Sequence, residues 1–206
     1  MRKVFLSASL ISKMDLEKPT KYISDDFDLG DKAYNFPMSY LIADNVENGD
    51  NIVIITSVAQ TENPMENYKL YKQEVFDIVK DKQVDIEFIE IKQETEFTAS
   101  VLNHFFKEVA DLIQDNDTLF MDITFGLRHY TLGMFIAVAY ATKAARNVDM
   151  DTIIYAQNFK GNRNDGFVSK VFDLTSLFYL NAIASNSRPG QKQNLDKLLG
   201  FIIDKD

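Results

Sequence analysis

Apolar and polar positions alternate along this chain with two periods, and the periods take turns. Lys3 to Ala8 alternates with the period of a strand, and Asn51 to Ser57, NIVIITS, is a continuous apolar run of strand length. A run of that kind is buried on both faces, as in a parallel sheet. Between them, residues 12 to 35 are polar and acidic, broken by Pro19 and Gly30, and read as a long connection; from Asn35 a short helix follows, with Phe36, Tyr40 and Leu41 on its apolar side. Glu66 to Lys80 has helical spacing through Tyr68, Tyr71, Val75 and Val79. Asp85 to Ile91 alternates untidily, which predicts a strand near a sheet edge. Thr98 to Ile113 is helical, with Val101, Leu102, Phe105, Phe106, Val109 and Leu112 as its apolar face.

The next stretch organises the chain. Thr118 to Thr124 is an apolar, β-branched run of strand length, Gly126 permits a sharp turn, and from Leu127 to Ala145 the composition is that of a helix. Asp151 to Ala156 and Phe167 to Leu174 are strands joined by the polar loop Asn158 to Gly166, which predicts a hairpin. Helical segments at Thr175 to Ala184 and Leu195 to Ile203 close the sequence, separated by a basic stretch. Repeated strand-then-helix alternation predicts an α/β fold: a Rossmann-like three-layer sandwich with a predominantly parallel central sheet of five strands and a C-terminal hairpin strand. The expected division is one domain over residues 1–180 and a short helical extension over 181–206.

In such a sheet, ligands bind beyond the carboxyl ends of the strands. The strand ends bring hydroxyls to that rim: Ser7 and Ser9, Thr56 and Ser57, and Thr124. At the turn after Asp122 stand Thr124, Phe125, Gly126, Arg128 and His129. Arg128 occupies the first turn of a helix, where a cation is disfavoured by up to roughly 1 kcal/mol. Two readings account for it: a bound anion shared with the helix N–H groups, or an ion pair with Asp122 or another carboxylate. His129, between Leu127 and Tyr130, is read either as a packed histidine or as a proton carrier. Lys160 and Arg163 oppose the acidic balance of the chain in the hairpin loop, where they serve either solubility or the closing of the loop over a phosphate-rich ligand.

Composition narrows the choices. The formal net charge of −9 over 206 residues argues against binding of long nucleic acid, though a local pocket for a small phosphate ligand needs only one or two cations. With no cysteine there are no disulfides or thiolate metal sites. Asp25, Asp26, Asp28 and Asp31 lack the spacing of a calcium loop, so no metal site is assigned. No apolar run reaches the length of a membrane span, and the N-terminal apolar run reads as a strand and not as a leader; no membrane contact and a cytoplasmic location are expected. Glycine-rich dinucleotide, phosphate-loop and nucleophile-elbow motifs are absent, so no cofactor is assigned.

The stretch Asp122 to His129, D-I-T-F-G-L-R-H, resembles the D-x-T-H-G-x-R signature of CARF domains, the CRISPR-associated Rossmann-fold sensors of cyclic oligoadenylate. Asp122, Thr124, Gly126 and Arg128 match; the usual histidine is replaced by Phe125. The resemblance implies a homodimer with a cyclic oligoadenylate across its two-fold axis, held by Ser7, Ser9, Thr56, Ser57, Thr124, Phe125, Gly126, Arg128, His129, Lys160 and Arg163. The reading expects no nuclease domain behind the sensor, and no histidine follows His129, so an R-x-x-x-x-H ribonuclease centre is not assembled there. Two outputs follow. A ring nuclease would end type III CRISPR signalling by metal-independent attack of the ligand's own 2′-hydroxyl, with Ser9, Thr124 and Arg128 as catalytic residues; a sponge or partner regulator would bind without cleaving.

Overall fold

The computed structural model describes residues 1–203 except 95, 97, 163–165 and 189, with the side chains of 162, 166, 198 and 201–203 also left aside. In chain order the elements are β1 (Arg2–Ala8), β2 (Lys21–Ser24), α1 (Pro37–Asn45), β3 (Asn51–Ala59), α2 (Glu62–Val79), β4 (Asp85–Gln93) and α3 (Ala99–Leu112). They continue with β5 (Asp117–Asp122), α4 (Arg128–Ala144), β6 (Asp149–Asn162), β7 (Gly166–Asp173), α5 (Thr175–Asn186) and α6 (Lys192–Ile203). One seven-stranded sheet has the order β2-β7-β6-β5-β1-β3-β4. β1 pairs in parallel with β3 and β5, β3 with β4, and β5 with β6, while β7 runs antiparallel to β6. This is the expected α/β sandwich.

Side-chain parity along the strands sets the two cores. Phe5, Ile52, Ile54, Phe120 and Ile154 face α1 and α2, where they meet Met38, Ile42, Tyr71 and Val75. Val4, Leu6, Val53, Ile55, Leu119 and Met121 face the other way, toward Phe105 and Val109 of α3, Tyr130 and Met134 of α4 and Phe178 of α5. Stacking of Phe5 on Phe120, with ring centres 4.7 Å apart, joins the two central strands on the first face. β4 lies at the edge, as its untidy alternation predicts.

Three assignments change. Lys21–Ser24, read as part of a long connection, is a strand that pairs in parallel with β7, from Lys21↔Val168 to Ser24↔Val171. Four residues in an acidic stretch carry too little local signal, and their stability comes from the partner strand and the burial of Tyr22. The loop predicted from Asn158 is instead strand as far as Asn162, paired out to Asn162↔Gly166. A hairpin ladder satisfies the backbone groups, so polar side chains continue the strand. Finally, α2 begins at Glu62 and α6 at Lys192, earlier than the apolar periodicity shows. Among the described residues no helix is long and apolar enough to cross a membrane.

Candidate functional site at the switch point

From β1 the chain fills one half of the sheet through β3 and β4, and from β5 it fills the other half through β6 and β7. The reversal of direction opens a crevice at the carboxyl ends of β1 and β5, the usual ligand position in this architecture. The turn 123–127 stands there. Gly126 adopts φ +93°, and a Cβ added to it would lie 2.5 Å from Ala8 Cβ, so the turn is pressed against the end of β1. Thr131 Oγ1 donates to Phe125 O at 3.1 Å and holds the turn from the α4 side.

Asp122 anchors the turn from below. It is 2% exposed, and its Oδ1 accepts the Thr124 N–H at 2.8 Å. The nearby Thr124 hydroxyl and Met38 N–H also favour its charged form. α1 starts with no side-chain cap and no acidic residue in its first turn, so the Asp122 carboxylate supplies the negative charge that its amino end favours. Burial nevertheless dominates and raises the Asp122 pKa to about 6, the hydrogen bonds from Thr124 and Met38 opposing it.

Beside this turn lies a groove of about 480 Å³, with Thr124 and Phe125 on its floor and Tyr155, Gln157 and Asn158 of β6 along one wall. The other wall is the strap between β1 and β2, including Lys13, Asp15 and Lys18. A second cleft of about 780 Å³ shares Lys13, Lys18, Asn158 and Phe167 with the first, and each is of the size that accommodates a small-molecule ligand.

The predicted residues divide by location. Thr124 and Phe125 line the groove. Arg128, the first residue of α4, is exposed and forms no ion pair with Asp122 or with any other carboxylate among the described residues. No side chain caps this helix. Lys160 is exposed on the β6–β7 arm, and Arg163 lies outside the described residues. His129 is half-buried with its ring 4.7 Å from that of Tyr130.

The other hydroxyls are interior. Ser7, Ser9 and Thr56 line a cavity of about 10 Å³ beneath α1 and α2, together with Asp122 and Phe125. That is room for about one water molecule and for no part of a nucleotide. Ser9 Oγ donates to Pro64 O at 2.6 Å. Ser57 points to the opposite face of the sheet, where it accepts from Gln93 Nε2 at 3.0 Å.

Lys13 and Lys18 are the residues the sequence reading passed over. Neither is ion-paired among the described residues. The aspartates of the acidic connection have local roles: Asp25 pairs with Lys170, Asp26 accepts the Asp173 N–H, and Asp28 accepts the Gly30 N–H. Among the described residues no grouping of acids and histidines is suited to hold a metal ion. The chain matches no protein-family model, and no curated protein matches it at a significant level.

Proposed function

We propose that this protein binds a cyclic oligoadenylate at the switch-point groove, in a pair of copies, and opens the ring by in-line attack of a ligand 2′-hydroxyl, as the resemblance of Asp122–His129 to CARF sensors implies. The observation that carries the reading is Arg128 at the uncapped amino end of α4, without an ion pair among the described residues. At the amino ends of the strands, Arg2 is paired with Asp117, and Lys3 with Asp50 at 2.7 Å. At the carboxyl ends, Lys13, Lys18, Arg128 and Lys160 make no ion pair among the described residues, although the chain carries a net charge of −9. An uncapped helix terminus with an unpaired arginine suits a phosphate ligand. Pairing of copies is supported by the outward face of α4, where Leu132, Ile136 and Tyr140, four residues apart, are each at least half exposed.

One observation favours capture without cleavage. Ser9, one of the three residues expected to be catalytic, is 5% exposed and gives its proton to Pro64 O. In-line positioning and Arg128 then carry the reaction, along with whatever Thr124 contributes.

The deciding experiment mixes substoichiometric protein with each ring size of cyclic oligoadenylate and follows products by chromatography and mass. One ring size is expected to give linear adenylates ending in 2′,3′-cyclic phosphate over several turnovers, at a rate unchanged by chelator. Arg128→Ala is expected to weaken binding about tenfold or more, the loss of one charged hydrogen-bonding group. Intact rings at full occupancy would leave capture as the function, and no binding of any ring would remove both readings.

A further inference from the structure

Resting on the cyclic-oligoadenylate reading, we propose that Asn35 and Asn158 are the base-reading residues of the groove: Asn35 Oδ1 accepts a hydrogen bond from the exocyclic amine of an adenine, and Asn158 Nδ2 donates to a ring nitrogen. Both side chains line the groove, and a neighbour holds each of them one way round. A free amide carries an acceptor at one end and a donor at the other, and it turns to suit whichever partner arrives. A held amide presents a fixed pattern.

Asn35 stands just before α1. Its Nδ2 donates to Glu74 Oε2 of α2 at 2.7 Å, and the Asn35 N–H donates to the same oxygen at 2.8 Å. Glu74 Oε1 accepts the Phe36 N–H at 3.2 Å, so the carboxylate is fixed by both of its oxygens. An ionised carboxylate accepts and does not donate, so the amide nitrogen must face it and the oxygen must face away. Tyr22, buried in β2, ties down the same residue by donating to Asn35 O at 3.2 Å. The polar side-chain atom of Asn35 left without a bond among the described residues is Oδ1, an acceptor.

Asn158 is held the opposite way round. It lies directly across from Ser169 in the β6–β7 ladder. Ser169 is 4% exposed, and its Oγ donates to Asn158 Oδ1 at 2.8 Å. Turning the amide over would leave that buried hydroxyl proton without an acceptor among the described residues, a penalty that fixes the orientation. The end of Asn158 left without a bond among the described residues is Nδ2, a donor. Gln157 also lines the groove, but it has no such anchor among the described residues and so imposes no pattern.

The groove therefore presents an uncharged acceptor and an uncharged donor. A phosphodiester has no proton to give Asn35, so the phosphates are left to Lys13, Lys18 and Arg128. Adenine has the complementary edge: its exocyclic amine donates, and the ring nitrogens beside it accept. Phe125, Tyr155 and Phe167 line the same groove, and aromatic side chains are the surfaces on which bases stack. A purine with oxygen in place of the amine would set two acceptors against each other at Asn35 Oδ1.

The test compares cyclic oligoadenylate with cyclic oligoinosinate of the same ring size, in which that oxygen replaces the amine, by calorimetry. The native chain is expected to bind the adenylate ring about tenfold or more tightly than the inosinate ring. Asn35→Ala should bring this ratio within about threefold, and Asn158→Ala should weaken adenylate binding about tenfold. Glu74 and Ser169 are positioning residues. Glu74→Gln offers Asn35 a donor as well as an acceptor, so the amide is released and the ratio should fall, which a structural loss acting on both rings alike would not produce. Ser169→Ala should weaken adenylate binding by the native chain about threefold or more and have no further effect on Asn158→Ala, since it acts through Asn158. Adenylate and inosinate rings bound equally by the native chain, or native affinity in Asn158→Ala, would overturn the base reading and leave ring binding standing. Neither ring bound would overturn it together with the ring-binding reading. The comparison of the two rings needs no variant, so it decides even where a variant fails to fold.

Discussion

Replacing Gly126 by alanine tests whether the turn that builds the site is held by backbone conformation and close approach together. Two costs are separable. The positive φ of +93° is the first, worth about 1–2 kcal/mol for a residue with a Cβ. The second is overlap: the added Cβ would meet Ala8 Cβ at 2.5 Å and lie 3.8 Å from Ala8 Cα. Ala8 ends β1, where it is paired with Ser57 of β3 and is 4% exposed, so an overpacking cost of about 1–3 kcal/mol applies. Loss of glycine freedom in the unfolded chain returns about 0.4–1 kcal/mol. The net destabilisation is about 2–4 kcal/mol. Gly49 is the control. It has φ +88° and nothing within 4 Å of an added Cβ, so Gly49→Ala carries the strain alone, about 0.5–1 kcal/mol after the same correction. In urea unfolding, with a slope of about 2 kcal/mol/M, the midpoint should fall by about 1–2 M for Gly126→Ala and by no more than about 0.5 M for Gly49→Ala. Equal shifts for the two variants would refute the close-approach argument, since only the first meets another residue.

Asp122 predicts a pH slope of stability. Its folded pKa of about 6 lies above the unfolded value of about 4, so between those pH values the folded chain holds a proton that the unfolded chain has lost. Stability should therefore fall as pH rises through that window, by about 3 kcal/mol in all. Asp50, whose carboxyl is held below its usual range by Lys3 and the Glu47 N–H against the effect of its burial, slopes the other way. The measurement is thus the difference between urea melts of the native chain and of Asp122→Asn at about pH 4.5 and about pH 7, and a pH-independent difference would refute the assignment. At the opposite end of the sheet, Asp117→Asn removes the partner of Arg2, a side chain that is 17% exposed, while Asp117 itself is buried and also accepts the Gln114 N–H at 2.7 Å. Arg2 keeps its bond to Leu112 O at 3.2 Å, so a loss of about 2–3 kcal/mol is expected, read as a melting temperature lower by about 5–10 °C; an unchanged melting temperature would show the pair to be neutral.

The fold was legible because burial on two faces leaves a strong mark. β3 reads as an unbroken apolar run, and β5, turn and α4 read as a change of period around Gly126. The groove was not legible, because it depends on a pairing that leaves almost no trace in the sequence. β2 joins β7 at the far edge of the sheet and starts at the same end at which β1 stops. Residues 9 to 20 must therefore cross the carboxyl ends of β5 and β6 to reach it. That crossing puts Lys13 and Lys18 on the groove wall. Read as a loop of unknown path, the same lysines carried no message.

The rim of hydroxyls failed for a different reason, one that period-two geometry contains. Ser7 and Ser9 share parity with Phe5, and Thr56 shares it with Ile54, so all three were bound to point under α1 and α2 once Phe5 and Ile54 did. Ser57 has the parity of Ile55 and had to point the other way. Ending at one rim therefore does not make side chains meet above it: a hydroxyl within the paired length of a strand, or held to the neighbouring strand just past its end as Ser9 is by its N–H bond to Ser57 O at 2.9 Å, belongs to a core. Thr124 differs because it stands two residues past the end of β5, after the Ile123 N–H has made its bond to Ile154 O at 3.0 Å. There the backbone has left the sheet but is still tied to it through Asp122 and Ala156. Of the hydroxyls read from the strand ends, Thr124 is the one that combines a fixed position with a face on the groove.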